Sequence, residues 1–469
     1  MLRFNRFIDT NFNSLGGTMT KDMTVGNPLK LMIFFSIPLL IGNVFQQLYN
    51  MVDAIIVGNT LGVDALAAVG ATGSINFLVL GFATGITSGF AVPIAQSFGA
   101  RDYDELRHRV AMSIILSVFI TIIITIASVL GTKAMLQVMK TPENIFKDAE
   151  LFIKIIYWGI VATMAYNMAA GILRALGDSK TPLYFLVLSS ILNVILDYVF
   201  ILAFHTGVEG AAYATVISQA VSAICCIVYI IKKFPILHLK RKDFTFKVST
   251  AMRLFSVGLP MALQFSVTAI GVMVLQSAIN LQGSAVVGAY TAASKVEQLS
   301  TQPMVTLGTT MATYCGQNLG AGRYDRIKDG MKYATWLCIG TAIFAIVVVI
   351  FGGEMIVRLF VSNPTEEVLQ AADTYLSIIA PFFPFLSFLF LYRNALQGVG
   401  LSIIPLCAGV AEFFTRIAVA MFLANGVYKV ICLASPFAWV AAAVMLWVRY
   451  FMYHKELKQK TEDSVSLEM

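Results

Sequence analysis

The chain has 469 residues, a formal net charge of +7, 58% hydrophobic side chains and only 13% charged ones. An average soluble domain is roughly 25% charged, and a single soluble core of this length could not hide so much apolar surface. That excludes a soluble fold and leaves lipid to cover part of the chain.

Residues 1–28 are polar, with Arg3, Arg6, Asp9, Lys21 and Asp22, and lack the apolar core and cleavage site of a secretory signal. They read as a cytoplasmic segment, and the first hydrophobic helix as both signal and span. Apolar runs between polar breaks predict helices near 29–58, 66–98, 106–131, 147–173, 182–204 and 208–231. A second set follows near 252–281, 285–319, 327–351, 366–397, 403–424 and 430–453. The second and eighth runs exceed a simple span and are expected to tilt or project. The fold class is therefore all-α integral membrane, with twelve transmembrane helices in two six-helix lobes. The lobes are expected over 29–231 and 252–453, joined by a basic loop at 232–251 and followed by a cytoplasmic tail at 454–469.

Sequence anchors recur between the halves. The second helix ends QSFGARDYDELR and the eighth QNLGAGRYDRIK, so Gln96, Gly99 and Asp104 match Gln317, Gly320 and Asp325, each 221 residues later. LRALGDSKTP and LQGVGLSIIP end the fourth and tenth, pairing Pro182 with Pro405. Six helices per half is an even number, so both halves enter the membrane in the same sense. A parallel repeat of this kind is a transporter signature, with substrate held between the halves. With the N-terminus inside, Lys and Arg number 25 on the inner segments, Arg393 among them, and 6 on the outer ones. That asymmetry places both termini in the cytoplasm and makes the basic charge a topology signal, not a nucleic-acid footprint.

Polar residues inside apolar helices each need a reason. Asp53 lies in the first helix. Asn193 and Asp197, four apart, share one face of the fifth, and Thr215 in the sixth offers a hydroxyl at comparable depth. Such oxygens suit Na⁺, or a proton shared between acids that repel each other in a low dielectric; simple hydration near the outer interface is the plainer account. Glu412 and Arg416, at i, i+4 in the eleventh helix, read as an internal ion pair. Glu297 in the eighth is a candidate for attracting a cation. Gln46, Gln47 and Asn50 on the first helix, and Gln264 and Gln276 on the seventh, either line a central cavity or bond helix to helix. Pro38 and Pro260 each remove a backbone bond, so helix bends are expected there. The six cysteines lie in or at the ends of apolar segments without a C-x-x-C pair, and read as small buried residues. No nucleotide-binding loop or catalytic spacing is present, so the chain is expected to be no enzyme, to need no cofactor and to draw on an ion gradient.

IPLLIGNVFQQLYNMVDAIIVG, the QSFGA and GQNLGAGR helix ends, LRALGDSKTP, and NVILD followed by GAAYAT together resemble the multidrug and toxic compound extrusion (MATE) family, over residues 28–455. The resemblance implies a plasma-membrane antiporter that exports cationic or amphipathic compounds in exchange for Na⁺ or H⁺ by alternating access. It further implies a monomer from a bacterium. Asp53, Asn193, Asp197 and Thr215 match the ion site of the DinF-like branch. The NorM-like branch uses acids in the seventh and tenth helices, where this chain has only Asp373, near the outer end of the tenth. A lipid-linked saccharide flippase of the same superfamily is the alternative, disfavoured by the helix count and the few intramembrane cations. An ion channel is the other.

Overall fold

Lipid offers the backbone no hydrogen-bond partners, so each apolar run must satisfy its own N–H and C=O groups, which a helix does within one segment. The computed structural model describes residues 22–360, 365–423 and 426–468, and most of the expected N-terminal segment lies outside them. The described residues form twelve helical rods. The first half comprises α1 (Pro28–Leu61), α2 (Val63–Gly99), α3 (Tyr103–Val138), α4 (Glu143–Trp158 and Ile160–Ala175), α5 (Lys180–Tyr198, continued by a π turn at Val199–Ala203) and α6 (Val208–Lys233). The second comprises α7 (Val248–Asn280), α8 (Ser284–Gly320), α9 (Tyr324–Phe360), α10 (Glu366–Ile379 and Phe383–Gly398), α11 (Ile403–Ile417, continued by a π turn at Ala418–Leu423) and α12 (Tyr428–Cys432 and Ala434–Glu468).

Ten of these rods are long and apolar enough to cross a membrane, and α4, bent by 45° at Gly159, makes eleven. α8 falls short because it carries Lys295, Glu297 and many Ser, Thr and Gln residues among its 37. α2 also has 37 residues, so both rods reach about 55 Å and overrun the hydrocarbon layer, as their runs predict. Pro38 and Pro260 lie inside unbroken helices, as do Pro93 and Pro303. α12 continues through the stretch expected as a tail, where Lys, Glu, Leu and Gln favour helix. Of the six cysteines four are buried, whereas Cys407 is exposed.

Start signals are local. Asn27 caps α1 by accepting from Lys30 N at 3.2 Å, ahead of Pro28, and Asp102 caps α3 through Glu105 N at 3.0 Å. A single glycine joins α1 to α2, and another ends the turn between α7 and α8. Gly62 and Gly283 hold φ at 91° and 93°, a left-handed conformation that costs glycine nothing. They stand 221 residues apart, a further repeat anchor.

Apolar packing forms two large clusters, one for each lobe. The first helix of each half crosses over at its start. Met32 and Phe35 of α1 belong to the second lobe's core, and Ala251, Leu254 and Ala262 of α7 to the first lobe's.

The lobes meet where α2 and α8 end, on the side carrying the basic loops. There the repeat becomes reciprocal. Gln96 Nε2 donates to Gly398 O at 3.1 Å, and Gln317 Nε2 donates to Ala175 O at 2.8 Å. Gly99 lies against the backbone of Gln317, and Gly320 against that of Gln96. A Cβ on either glycine would fall 1.9 Å and 1.8 Å from the facing carbonyl oxygens. A strap formed by residues 22–27 closes over this seal. Met23, fully buried, donates its N–H to Gln317 Oε1 at 2.9 Å and accepts from Asn318 Nδ2 and Arg326 Nη2. Arg326 Nη1 also donates to Gly26 O at 2.9 Å.

Candidate functional site

The helical period of α5 places Asn193 one turn before Asp197, and both are fully buried. On α1 the same period aligns Tyr49 with Asp53, and α6 brings Thr215 between the two helices. Tyr49 Oη and Thr215 Oγ1 lie 3.4 Å apart, and Asn193 Nδ2 donates to the same hydroxyl at 3.5 Å. The carboxyls of Asp53 and Asp197 face one another. Thus the four residues singled out in the sequence converge, and Tyr49 joins them. Surface hydration does not account for Asp197, which has no exposed area.

Asp53 Oδ1, Asn193 Oδ1 and both carboxylate oxygens of Asp197 are buried without a donor. Each buried acceptor left unsatisfied costs about 1–3 kcal/mol, more when charged. Four acceptor-only atoms in one place are answered by a proton or by an oxygen-preferring cation such as Na⁺. Among the described residues no three His, Cys, Asp or Glu groups gather as a metal cluster. Two carboxylates with amide and hydroxyl oxygens suit a monovalent cation instead. Asp197 also sits just before the π turn of α5, a local irregularity of the kind that accompanies functional sites.

Among the described residues the second lobe has no counterpart. Registering Pro38 on Pro260 puts Leu275 at the place of Asp53 and Gly271 at that of Tyr49. Registering Pro182 on Pro405 puts Arg416 at the place of Asn193 and Ala420 at that of Asp197. Gly271 leaves the room that Arg416 fills, since a Cβ there would be 2.7 Å from Arg416 Nη1. Glu412 Oε1 accepts from Arg416 Nη2 at 3.0 Å and Oε2 from Arg393 Nη2 at 2.8 Å, with all three residues buried. The expected pair is therefore a triad. Arg393, counted in the sequence with the inner-loop charges, is held inside α10 because its partner lies on the neighbouring α11. Glu412→Gln strands two buried guanidinium groups, and breaking one side of such an arrangement costs about 3–5 kcal/mol. A thermal melt of the purified variant should show a loss of this order with unchanged ion dependence. An unchanged melt would mean that the triad contributes nothing.

The other candidates separate. Glu297 accepts from Tyr375 Oη at 2.6 Å, and Tyr375 packs edge-on against Tyr290, so this acid faces into the second lobe. Gln264 is buried and accepts from Gln397 Nε2 at 2.7 Å, the helix-to-helix role. Gln276 Nε2 donates along its own helix to Asn280 Oδ1 at 2.9 Å. Gln46 is exposed. Only Gln47 and Asn50 line the cavity between α1 and α8, with Met51, Ala54, Lys295, Gln298 and Leu299, in a volume of about 150 Å³.

The MatE family pattern matches residues 38–199 and 257–422, one segment per lobe. The probable multidrug resistance protein YpnP of Bacillus subtilis (strain 168) is 29% identical over 448 residues, covering 94% of this chain and 99% of its own. The probable multidrug resistance protein NorM of Thermotoga maritima is 25% identical over 84% of this chain and 85% of its own. The solved outward-facing conformation of a multidrug resistance MATE family transporter of the MOP superfamily superposes with a TM-score of 0.87 at 24% identity, covering 94% of this chain and 99% of that one. Two matched segments spanning most of the chain, on a shared two-lobe fold, make this chain a member of the MatE family.

Proposed function

We propose that the chain is an ion-coupled efflux antiporter, driven by Na⁺ or H⁺ bound among Asp53, Asn193, Asp197 and Thr215. The observation that carries this reading is the set of four donor-less oxygens in one lobe, one of which, Asp53 Oδ1, is on the helix that also walls the cavity. α1 turns Tyr49 and Asp53 toward the ion site and Gln47, Asn50, Met51 and Ala54 toward the cavity. Ion occupancy and substrate occupancy therefore act on the same rod, and linkage requires each to alter the affinity of the other. The compounds carried are amphipathic organic molecules, and the family resemblance includes cations among them. The names of the bacterial relatives, as multidrug resistance proteins, support a broad range. Cavity, seal and ion site all lie within one chain, which supports a working monomer. The 25-to-6 charge asymmetry supports a plasma-membrane topology with both termini and the seal on the cytoplasmic side.

The test is transport in proteoliposomes under separately imposed Na⁺ and H⁺ gradients, with ethidium as a cationic probe and carboxyfluorescein as an anionic one. Antiport predicts that one gradient drives efflux of at least one probe and that dissipating it stops the flow. Flux that persists with every gradient collapsed identifies a channel and overturns the reading.

A further inference from the structure

Lys295 lies eleven residues inside the start of α8 at Ser284, about 16 Å along the helix and near the middle of a bilayer. Asn50, on the facing wall, lies eleven residues before the end of α1 at Leu61, at matching depth. A charge at this depth costs roughly 2.5–3.5 kcal/mol on insertion scales, so an ammonium group there needs a counter-charge or a function. Among the described residues Lys295 has no ion-pair partner.

The nearby acids are all turned elsewhere. Glu297, two residues on, is bonded to Tyr375 in the second lobe, and Glu412 is taken by two arginines. Asp53, one turn from Asn50, faces Asp197 behind α1. The cavity wall thus holds one cation and no acid. Around it stand the amides of Gln47, Asn50 and Gln298, and Met51, Ala54 and Leu299 supply apolar surface. Amide N–H groups and an ammonium are donors, and together they form an array that an oxyanion completes.

We infer that this cavity binds amphiphiles through an anionic oxygen group, a carboxylate, sulfonate or phosphate, seated on Lys295 with Gln47, Asn50 and Gln298 around it. This deepens the antiporter reading by adding an anionic substrate class, and it is testable without transport. The anion supplies the counter-charge the lysine lacks, and the apolar wall takes the hydrocarbon part. The unbranched ammonium on its flexible stem reaches anions of different shape, as a broad exporter requires.

The measurement is binding of a dansylated alkyl carboxylate and of its neutral methyl ester to the full-length protein in phosphatidylcholine nanodiscs, with no gradient. A charge-assisted hydrogen bond predicts that the wild type prefers the carboxylate by roughly tenfold. Lys295→Gln should erase that preference while leaving ester affinity in place, and Lys295→Arg should keep it. Retained ester affinity also shows that the variant is folded. If the wild type binds both probes equally, or Lys295→Gln keeps the preference, the assignment is wrong. Adding phosphatidylglycerol separates the sources: competition with the carboxylate assigns the site to lipid headgroups as well, and no competition assigns it to soluble amphiphiles. Because no ion gradient enters, these outcomes stand whether or not the coupling proposal holds.

Discussion

Asp197→Asn and Asp53→Asn should each reduce gradient-driven efflux to the level of empty liposomes while the protein folds and inserts normally. The carboxylates face each other in a region that supplies almost no donors, so two negative charges there are tolerable only with a bound cation or a shared proton. Replacing one by its amide keeps the shape, adds an N–H donor and removes the charge that holds the ion. Removing an uncompensated buried charge also relieves a desolvation cost, so the melting temperature should stay level or rise. Loss of transport with undiminished stability is the signature of a coupling residue and not of a packing one. Thr215→Val should weaken ion dependence less, since it removes one neutral ligand and leaves both acids. Wild-type efflux with unchanged ion dependence in both Asp variants would sink the coupling proposal.

Gly99→Ala and Gly320→Ala should each prevent the seal between the lobes from closing. In both, the new methyl carbon would sit under 2 Å from a backbone carbonyl oxygen that no rotamer change can move aside. Overpacking a close contact costs typically about 1–3 kcal/mol, and a clash with backbone belongs at the upper end. A penalty of about 3 kcal/mol on the sealed state alone shifts its balance with the open state by about 150-fold. A cysteine placed at Asn50 should then react slowly from outside and readily from the cytoplasm, and export should fall with it. The repeat adds an internal check, since the two variants strike equivalent contacts and should give matching phenotypes. Wild-type labelling from outside in either variant would mean that the seal does not depend on this approach.

How much of this was legible in the sequence depended on whether the cause was local. Helices follow from apolar runs, and Asp53, Asn193, Asp197 and Thr215 stand out because polar atoms in lipid are costly wherever they point. Their convergence could be proposed from the i, i+4 spacing on α5, but Tyr49 could not, because a tyrosine near an interface has many ordinary uses. Contacts set by register between distant helices stayed hidden. Glu297 looked like a cavity acid until Tyr375, 78 residues away, was found bonded to it. Arg393 read as a loop charge because it stands near a helix end, and only the packing of α10 on α11 shows that it is buried. Gln264 was ambiguous for the same reason. The repeat itself held the clearest hidden signal, since its register sets Arg416 against Asn193, Leu275 against Asp53 and Ala420 against Asp197, so the paired acids of the first lobe are not repeated in the second.

The strap over the seal has a consequence for how the chain is made. Met23 emerges among the first residues, yet Gln317, Asn318 and Arg326, which hold it, are synthesised roughly 300 positions later. At about 5–20 residues per second, on the order of 15–60 s pass before its seat exists. Throughout that interval the first lobe can pack its own core, but α1 lacks the second-lobe neighbours of Met32 and Phe35. Closure of the barrier is therefore a late assembly event that only a chain translated into α9 can complete, and a truncated product ending before Gln317 leaves its N-terminal strap without a seat.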